Sequence, residues 1–302
     1  MEKESTQEVI IIGGSYAGLS AAMALGRAGR KVLVIDSGKP CNTQTPHSHN
    51  FLTQDGQEPA TIAAIALSEV LKYPTLSHLN DLVISARRIA DGFELKTASG
   101  RSFKALKLLF ATGVKDLMPA IKGFSECWGI SVIHCPYCHG YEIAQQKTAL
   151  LANGETAFHM AQVLSQWTKD LVLYTNGQVQ LSEEQQQQLH LHGIPVIDTP
   201  VQEIQQEDGQ LKSLLLADGQ AHFFKAMYSR VSFAQHSDLP ESLGCTINEQ
   251  GYLVLDDKKQ TSIPGVYAAG DNTTMARTVS MAVASGTLSG VAINSALTLE
   301  SW

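Results

Sequence analysis

Cys135-Pro-Tyr-Cys138-His139-Gly140 places two thiols two residues apart with an imidazole directly behind them. In such a pair one thiolate attacks a disulfide and its neighbour resolves the mixed disulfide, so the pair carries two electrons. Working near neutral pH requires a lowered thiol pKa and a proton donor, and His139 titrates in that range. Two other chemistries share the spacing. Cys-x-x-Cys-His is also the attachment motif of a c-type haem, which needs an oxidising compartment, and the polar segment 1–8 has no secretory character. A structural zinc site needs a second ligand pair, whereas Cys127 and Cys245 stand alone. With Cys41 they read as small buried or incidental residues. His47, His49 and His78 read as ordinary polar side chains, not metal ligands.

A second pattern lies at the start of the chain. The apolar run 9–12 ends in Gly13-Gly14-Ser15-Tyr16-Ala17-Gly18, a helix is expected over 19–28 with Gly29 as its stop, and a strand over 31–36. This is the strand–helix–strand of a Rossmann turn, whose small residues let a pyrophosphate approach a helix N-terminus. Serine replaces the usual middle glycine. Asp36 ends the second strand, where a carboxylate can hold an adenosine ribose. NAD and FAD fit this turn equally.

The plan repeats. Asp91-Gly92 and Ser99-Gly100 punctuate a meander that leads into a strand at 108–111. After the cysteine pair come a strand at 148–152, a helix at 155–166 and a strand at 171–174. A capping box, Ser182-x-x-Gln185, opens another helix closed by Gly193, with the glutamines 185–188 on its solvated face. Asp208-Gly209 and Asp218-Gly219 mark a second meander before a strand at 227–233. The expected fold is α/β, with two Rossmann-like, three-layer FAD/NAD(P)-binding domains, each with a β-meander. The first is split (1–115 and 246–302) around an inserted domain at 116–245.

The remaining motifs carry a resemblance. Ala111-Thr112-Gly113 marks a further crossing point, and the run 265–271 sets small residues before Gly270-Asp271 at a strand end. With the glycine turn and the cysteine pair, this order resembles the flavoprotein disulfide reductases of the small thioredoxin-reductase type. The resemblance implies FAD, with Asp271 on the ribityl chain and Gly286 bringing the last helix toward the flavin pyrimidine. It also implies Asn42 and Asn50 in stretches lining the cofactor, and a homodimer. By the same resemblance Cys138 faces the flavin, Cys135 meets the substrate, and His139 is the acid/base, with His134 a second candidate. An aspartate usually follows the second cysteine in thioredoxin reductases; histidine here is similar to the branch that includes fungal dithiol oxidases. Trp302 at the C-terminus could stack on the isoalloxazine, as aromatic residues do in related ferredoxin–NADP reductases, or be an ordinary dimer-packing or frayed terminal residue.

In that family the inserted domain binds NADPH through its own glycine turn. The matching stretch is Ala152-Asn153-Gly154-Glu155-Thr156-Ala157, with alanine where the first glycine belongs. A 2′-phosphate wants arginines after the next strand, yet no basic residue occurs in 171–184. An impaired or absent NADPH site is therefore expected, the alternatives being NADH or a displaced cation such as Lys169. Without NADPH the partners become a small dithiol with oxygen as acceptor, or ferredoxin as donor with a thioredoxin-like protein as acceptor. A non-catalytic FAD-binding redox regulator is the remaining reading. The net charge of −7 from 22 basic and 29 acidic residues gives no case for nucleic acid or an anionic membrane. No stretch is expected to span a bilayer. Five cysteines, an odd number with one close pair, fit a cytoplasmic redox protein better than a disulfide scaffold.

Overall fold

The computed structural model describes residues 6–302, so the first five residues of the polar opening segment lie outside it. The chain forms two compact units. One comprises the residues through Thr43, Phe51–Lys115 and Phe233–Trp302; the other comprises Gln44–Asn50 and Asp116–Ser232.

The first unit opens with β1 (Gln7–Ile12), α1 (Tyr16–Arg27), β2 (Val32–Asp36), α2 (Pro59–Val70) and β3 (Leu76–Asn80). The meander β4 (Val83–Ile89), β5 (Gly92–Thr97) and β6 (Ser102–Phe110) follows. The sheet order is β3-β2-β1-β6-β5-β4, parallel from β3 to β6 and antiparallel through the meander. Residues 9–12 of strand β1 are all apolar and buried because both faces of the strand are covered there. Val9 and Ile11 pack with α1 on one side, while Ile10 and Ile12 pack with Phe93 and Leu95 of the meander on the other. Helix α1 begins three residues earlier than the apolar pattern suggested, because Ser15 is its N-cap and the glycine turn itself forms its first turn.

The chain leaves this unit within β7 (Val114–Leu117). The second unit contains α3 (Phe124–Cys127), β8 (Val132–Ile133), α4 (Pro136–His139), β9 (Thr148–Leu151), α5 (Gly154–Leu164), β10 (Leu171–Tyr174), α6 (Glu183–Leu191) and β11 (Val196–Ile197). It continues with β12 (Val201–Glu207), β13 (Gln210–Leu216), β14 (Ala221–Phe223) and β15 (Ala226–Ser229). A parallel sheet in the order β11-β10-β9-β15-β8 carries α5 and α6 on one face, and the β12-β13-β14 meander adds the third layer. The capping box forms as expected: Gln185 N–H donates to Ser182 Oγ (3.2 Å) and Ser182 N–H to Gln185 Oε1 (3.0 Å).

The return runs through β16 (Ser232–Gln235) to α7 (Leu239–Ser242), β17 (Val266–Ala268) and α8 (Val279–Glu300). The boundary at 245/246 is corrected to Ser232/Phe233, because Leu239, Leu243 and Cys245 pack into the core of the first unit. The strand expected at 227–233 is two strands, β15 and β16. Strand β17 joins the first sheet beside β6. Helix α8 is, by length and composition, long and apolar enough to cross a membrane, contrary to the expectation. Its small residues have a role within the unit: Gly286 and Gly290 lie against the backbone of Ala17 and Ala21 on α1.

Candidate functional site

Where β1 ends, the chain turns at Gly13 with φ +105°, and Gly13 N–H donates to Ile35 O (2.8 Å). A Cβ at Gly13 would collide with the Ala111 carbonyl, and one at Gly18 with the Gly13 carbonyl. At Gly14 it would stand 2.8 Å from Asp36 Cβ. The turn is therefore packed between the end of β2 and the Ala111-Thr112-Gly113 crossing. Ser15 makes no side-chain cap bond, and α1 has no acidic residue in its first turn. Its free N–H groups and positive dipole end are left for an anion. Half-buried Asp36 stands beside that turn, and Tyr16 Oη accepts from Asn42 Nδ2 (3.4 Å).

The C-terminal strand completes this cradle. Ala269 N–H donates to Phe110 O (3.0 Å) and Gly270 N–H to Ser285 Oγ (2.9 Å). Asp271 Oδ2 lies 3.6 Å from Arg277 Nε and 3.9 Å from Cys41 Sγ. Fully buried Asn272 donates from Nδ2 to Phe110 O (3.0 Å) and Thr112 Oγ1 (3.4 Å). Asn272 Oδ1 and Gln235 Oε1 are buried acceptors with no partner among the described residues. A glycine cradle at an uncapped helix end, a ribose carboxylate and unused buried acceptors together suit a dinucleotide such as FAD. Gln235, Ser285, Asn272 and Arg277 escaped the sequence reading, being single polar residues with no spacing to mark them.

Three predicted cofactor residues stand differently. Gly286 lies about two turns inside α8, not near its start. It sets how closely α8 approaches the first turn of α1, while Thr278 Oγ1 caps the helix by accepting from Met281 N–H (3.2 Å). Asn50, at φ +58°, belongs to the 44–50 segment of the second unit. Trp302 is fully exposed. From Gly286, α8 runs about 21 Å further to Glu300 at 1.5 Å per residue, toward the edge where the parallel strands begin. There Asn294 and Thr298 accept from Arg30, and Glu300 pairs with Lys107. The glycine turn lies at the opposite edge, so Trp302 cannot stack on a flavin held by its own cradle.

In the second unit, Cys135 and Cys138 form a disulfide with their Cα atoms 5.3 Å apart. Cys135 is the N-cap of α4, and the N–H groups of Cys138 and His139 both donate to its carbonyl (3.2 Å each). Residues four apart on such a turn share a face, which aligns His139 with Cys135. Gly140 is needed because a Cβ there would lie 2.7 Å from the Trp167 indole. Burial pushes the His139 imidazole below its ordinary value; Glu142 opposes this and His49 adds to it. The His49 ring is edge-on to His139 at 6.5 Å, and its Nε2 lies 3.4 Å from Glu142 Oε1. His134 instead stacks on Trp128 at 5.8 Å. Cys127 and Cys245 are buried, and burial raises both thiol pKa values.

The second glycine turn is closed on itself. Asn153 Oδ1 accepts from Gly154 N–H and Gln180 N–H (2.9 Å each), and its Nδ2 donates to Thr175 O (3.3 Å) and Gln178 O (2.8 Å). Glu155 adds a carboxylate to the first turn of α5, where an anionic ligand would be repelled. Beside this turn lies a cavity of about 340 Å³ lined by Ala152, Asn153, Thr156, Arg230, Val231 and Ser232.

Comparison with known proteins agrees with this geometry. Residues 7–286 match the pyridine nucleotide-disulphide oxidoreductase family. The thioredoxin reductase tcpT of Claviceps purpurea is 32% identical, the match covering 96% of this chain and 94% of that protein. The crystal structure of an oxidoreductase from Agrobacterium tumefaciens superposes with a TM-score of 0.92 at 36% identity, covering 98% of this chain and 99% of that one. A thioredoxin reductase from Streptococcus pyogenes, 23% identical, shares the fold (TM-score 0.89, 99% and 100% covered). The chain thus belongs to the pyridine nucleotide-disulphide oxidoreductase family, as a thioredoxin-reductase-like flavoenzyme that binds FAD and carries a redox-active Cys135–Cys138 pair.

Proposed function

We propose that this enzyme exchanges electrons between FAD and a dithiol or disulfide substrate through Cys135 and Cys138, without a competent NADPH site. The observation that carries this reading is the Asn153 knot. Its four hydrogen bonds tie the β9–α5 turn to the loop after β10, where a bound nucleotide would need free N–H groups and cations. Arg230 is the one basic residue lining the adjacent cavity, and a single cation makes a poor site for a 2′-phosphate dianion.

FAD, when bound, supplies a two-electron acceptor or donor; the Gly13–Gly18 turn, Asp36 and Asp271 would hold it. In the oxidising direction, His139 takes the proton of a substrate thiol and the resulting thiolate attacks Cys135 Sγ. The Cys135–Cys138 bond breaks and Cys138 leaves as a thiolate. The second substrate thiol then displaces Cys135, releasing a substrate disulfide and leaving two electrons and two protons on the chain as two thiols. Run backward, the same steps reduce a disulfide. The histidine after Cys138 favours the oxidising direction on a small dithiol, with oxygen as final acceptor, as in the dithiol oxidases. A thioredoxin-like protein supplied from ferredoxin is the reverse case. The exposed apolar stripe Met281, Leu288, Val291 and Leu299 on α8 supports assembly as a homodimer.

Anaerobic absorbance of the holoenzyme tests the reading. Dithiothreitol should bleach the flavin band and NADPH should leave it unchanged; rapid bleaching by NADPH would overturn the lost site.

A further inference from the structure

We propose that His49, with Glu142, is a positioning residue that sets the proton-accepting state of His139. This rests on the thiol–disulfide chemistry proposed above. His49 stands ninety residues before His139 in sequence, yet its segment, Gln44–Asn50, packs with the second unit. There its ring meets that of His139 edge-on at 6.5 Å, and its Nε2 reaches Glu142 Oε1 at 3.4 Å. Glu142 follows His139 by three residues, and His47 lies 6.4 Å beyond His49. From the sheet side the titratable group is Tyr228 of β15, whose hydroxyl is raised by burial and by the Glu142 charge.

One carboxylate therefore faces two imidazoles. Glu142 stabilises the imidazolium that forms when His139 takes a substrate proton. The His49 ring, edge-on at 6.5 Å and reaching the same carboxylate, opposes that charge on His139. The proton taken from the substrate thiol stays on His139 until a product thiolate collects it, so no further reactant is needed.

The array makes opposite predictions for its two supports. Removing His49 takes away the group that opposes the His139 charge, so His139 should hold a proton to higher pH; removing the Glu142 charge should do the reverse. The test uses His49→Gln and Glu142→Gln holoenzymes. It follows the His139 13Cε1–H resonance against pH by NMR, and in parallel the pH profile of disulfide opening by dithiothreitol. His49→Gln should move the His139 midpoint and the acid limb of the profile upward by about half a pH unit or more, and Glu142→Gln should move both downward. Midpoints that stay within 0.1 of the parent in both variants, with unfolding temperatures unchanged, would overturn the proposal. A parent enzyme that dithiothreitol never opens would instead refute the proposed function, and the NMR midpoints would still decide the role of His49. Should His49→Gln fold poorly, Glu142→Gln, altered at a partly exposed carboxylate, carries the test alone through the sign of its shift.

Discussion

Gly286→Ala asks for the smallest change at the tightest point of the first unit. A Cβ at 286 would collide with the Ala17 carbonyl oxygen and stand 2.8 Å from its carbon and 2.9 Å from its Cα. Ordinary contact begins at 3.4 Å, so α8 must retreat by about 1 Å, and both sides of the contact are backbone with no rotamer to yield. A gap of that size forfeits a quarter to a half of the dispersion attraction across the contact. Four residues on, a Cβ at Gly290 would likewise lie 2.7 Å from Ala21 O, so the two helices are in close approach along a length, not at one point. Overpacking typically costs about 1–3 kcal/mol, and a rigid backbone clash belongs at the upper end. About 3 kcal/mol corresponds to a fall of about 5 °C in unfolding temperature for a chain of this size. Because Ala17 sits in the first turn of α1, the same displacement disturbs the anion site, so the variant should also lose FAD during gel filtration. The control is Gly29→Ala, at φ +73° with nothing within 4 Å of the added atom. It should cost only the left-handed strain of about 1–2 kcal/mol and keep its FAD. Thermal melts and FAD-to-protein absorbance ratios read both effects. If Gly286→Ala melts with Gly29→Ala and retains full FAD, the close helix approach is not what holds the cradle.

Cys138→Ser should purify yellow, since the cysteine belongs to a different unit from the cradle, yet lose bleaching by dithiothreitol under anaerobic stopped flow; bleaching at the parental rate would remove the pair from the mechanism. Leu288→Glu with Val291→Glu places two charges on the exposed stripe of α8 and should convert a dimer to a monomer by light scattering, with the unfolding temperature of the FAD-loaded unit little changed; a dimer that persists would put the interface elsewhere. Burial holds the folded pKa of His139 below its ordinary 6.5. The unfolded chain then binds more protons, so this part of the stability is present above 6.5 and is lost as pH falls through the folded value. The parent melting temperature should accordingly drop more steeply than that of His139→Gln between about pH 7.5 and 5.5, and parallel curves would show that the imidazole is not held neutral.

What the sequence disclosed and what it hid divide along a physical line. Features fixed by a few consecutive residues were legible. The Gly13–Gly18 turn announces itself because each glycine answers a separate steric demand, and the capping box because its two bonds span three residues. The cysteine pair is likewise local, since a single helical turn seats both thiols and His139. Strand β1 could be read because four apolar residues in a row need cover on both faces. Features made by residues far apart in the chain were silent. Nothing at His49 distinguishes it from His47 or His78 until the 44–50 segment folds beside α4. Asn272 and Gln235 acquire meaning only as buried acceptors without partners. Helix α2 and strand β3 lacked motifs and were not anticipated, and the inserted unit ends where packing, not composition, changes at Phe233. Trp302 shows the same limit from the other side. A terminal aromatic invites a stacking role, but a 22-residue helix has a fixed length, and that length carries the ring to the wrong edge of the sheet. The Asn153 knot joins both kinds of reading. The missing glycine and missing arginines could be counted in the sequence, but only the folded turn reveals that Asn153 Oδ1 accepts from both Gly154 N–H and Gln180 N–H.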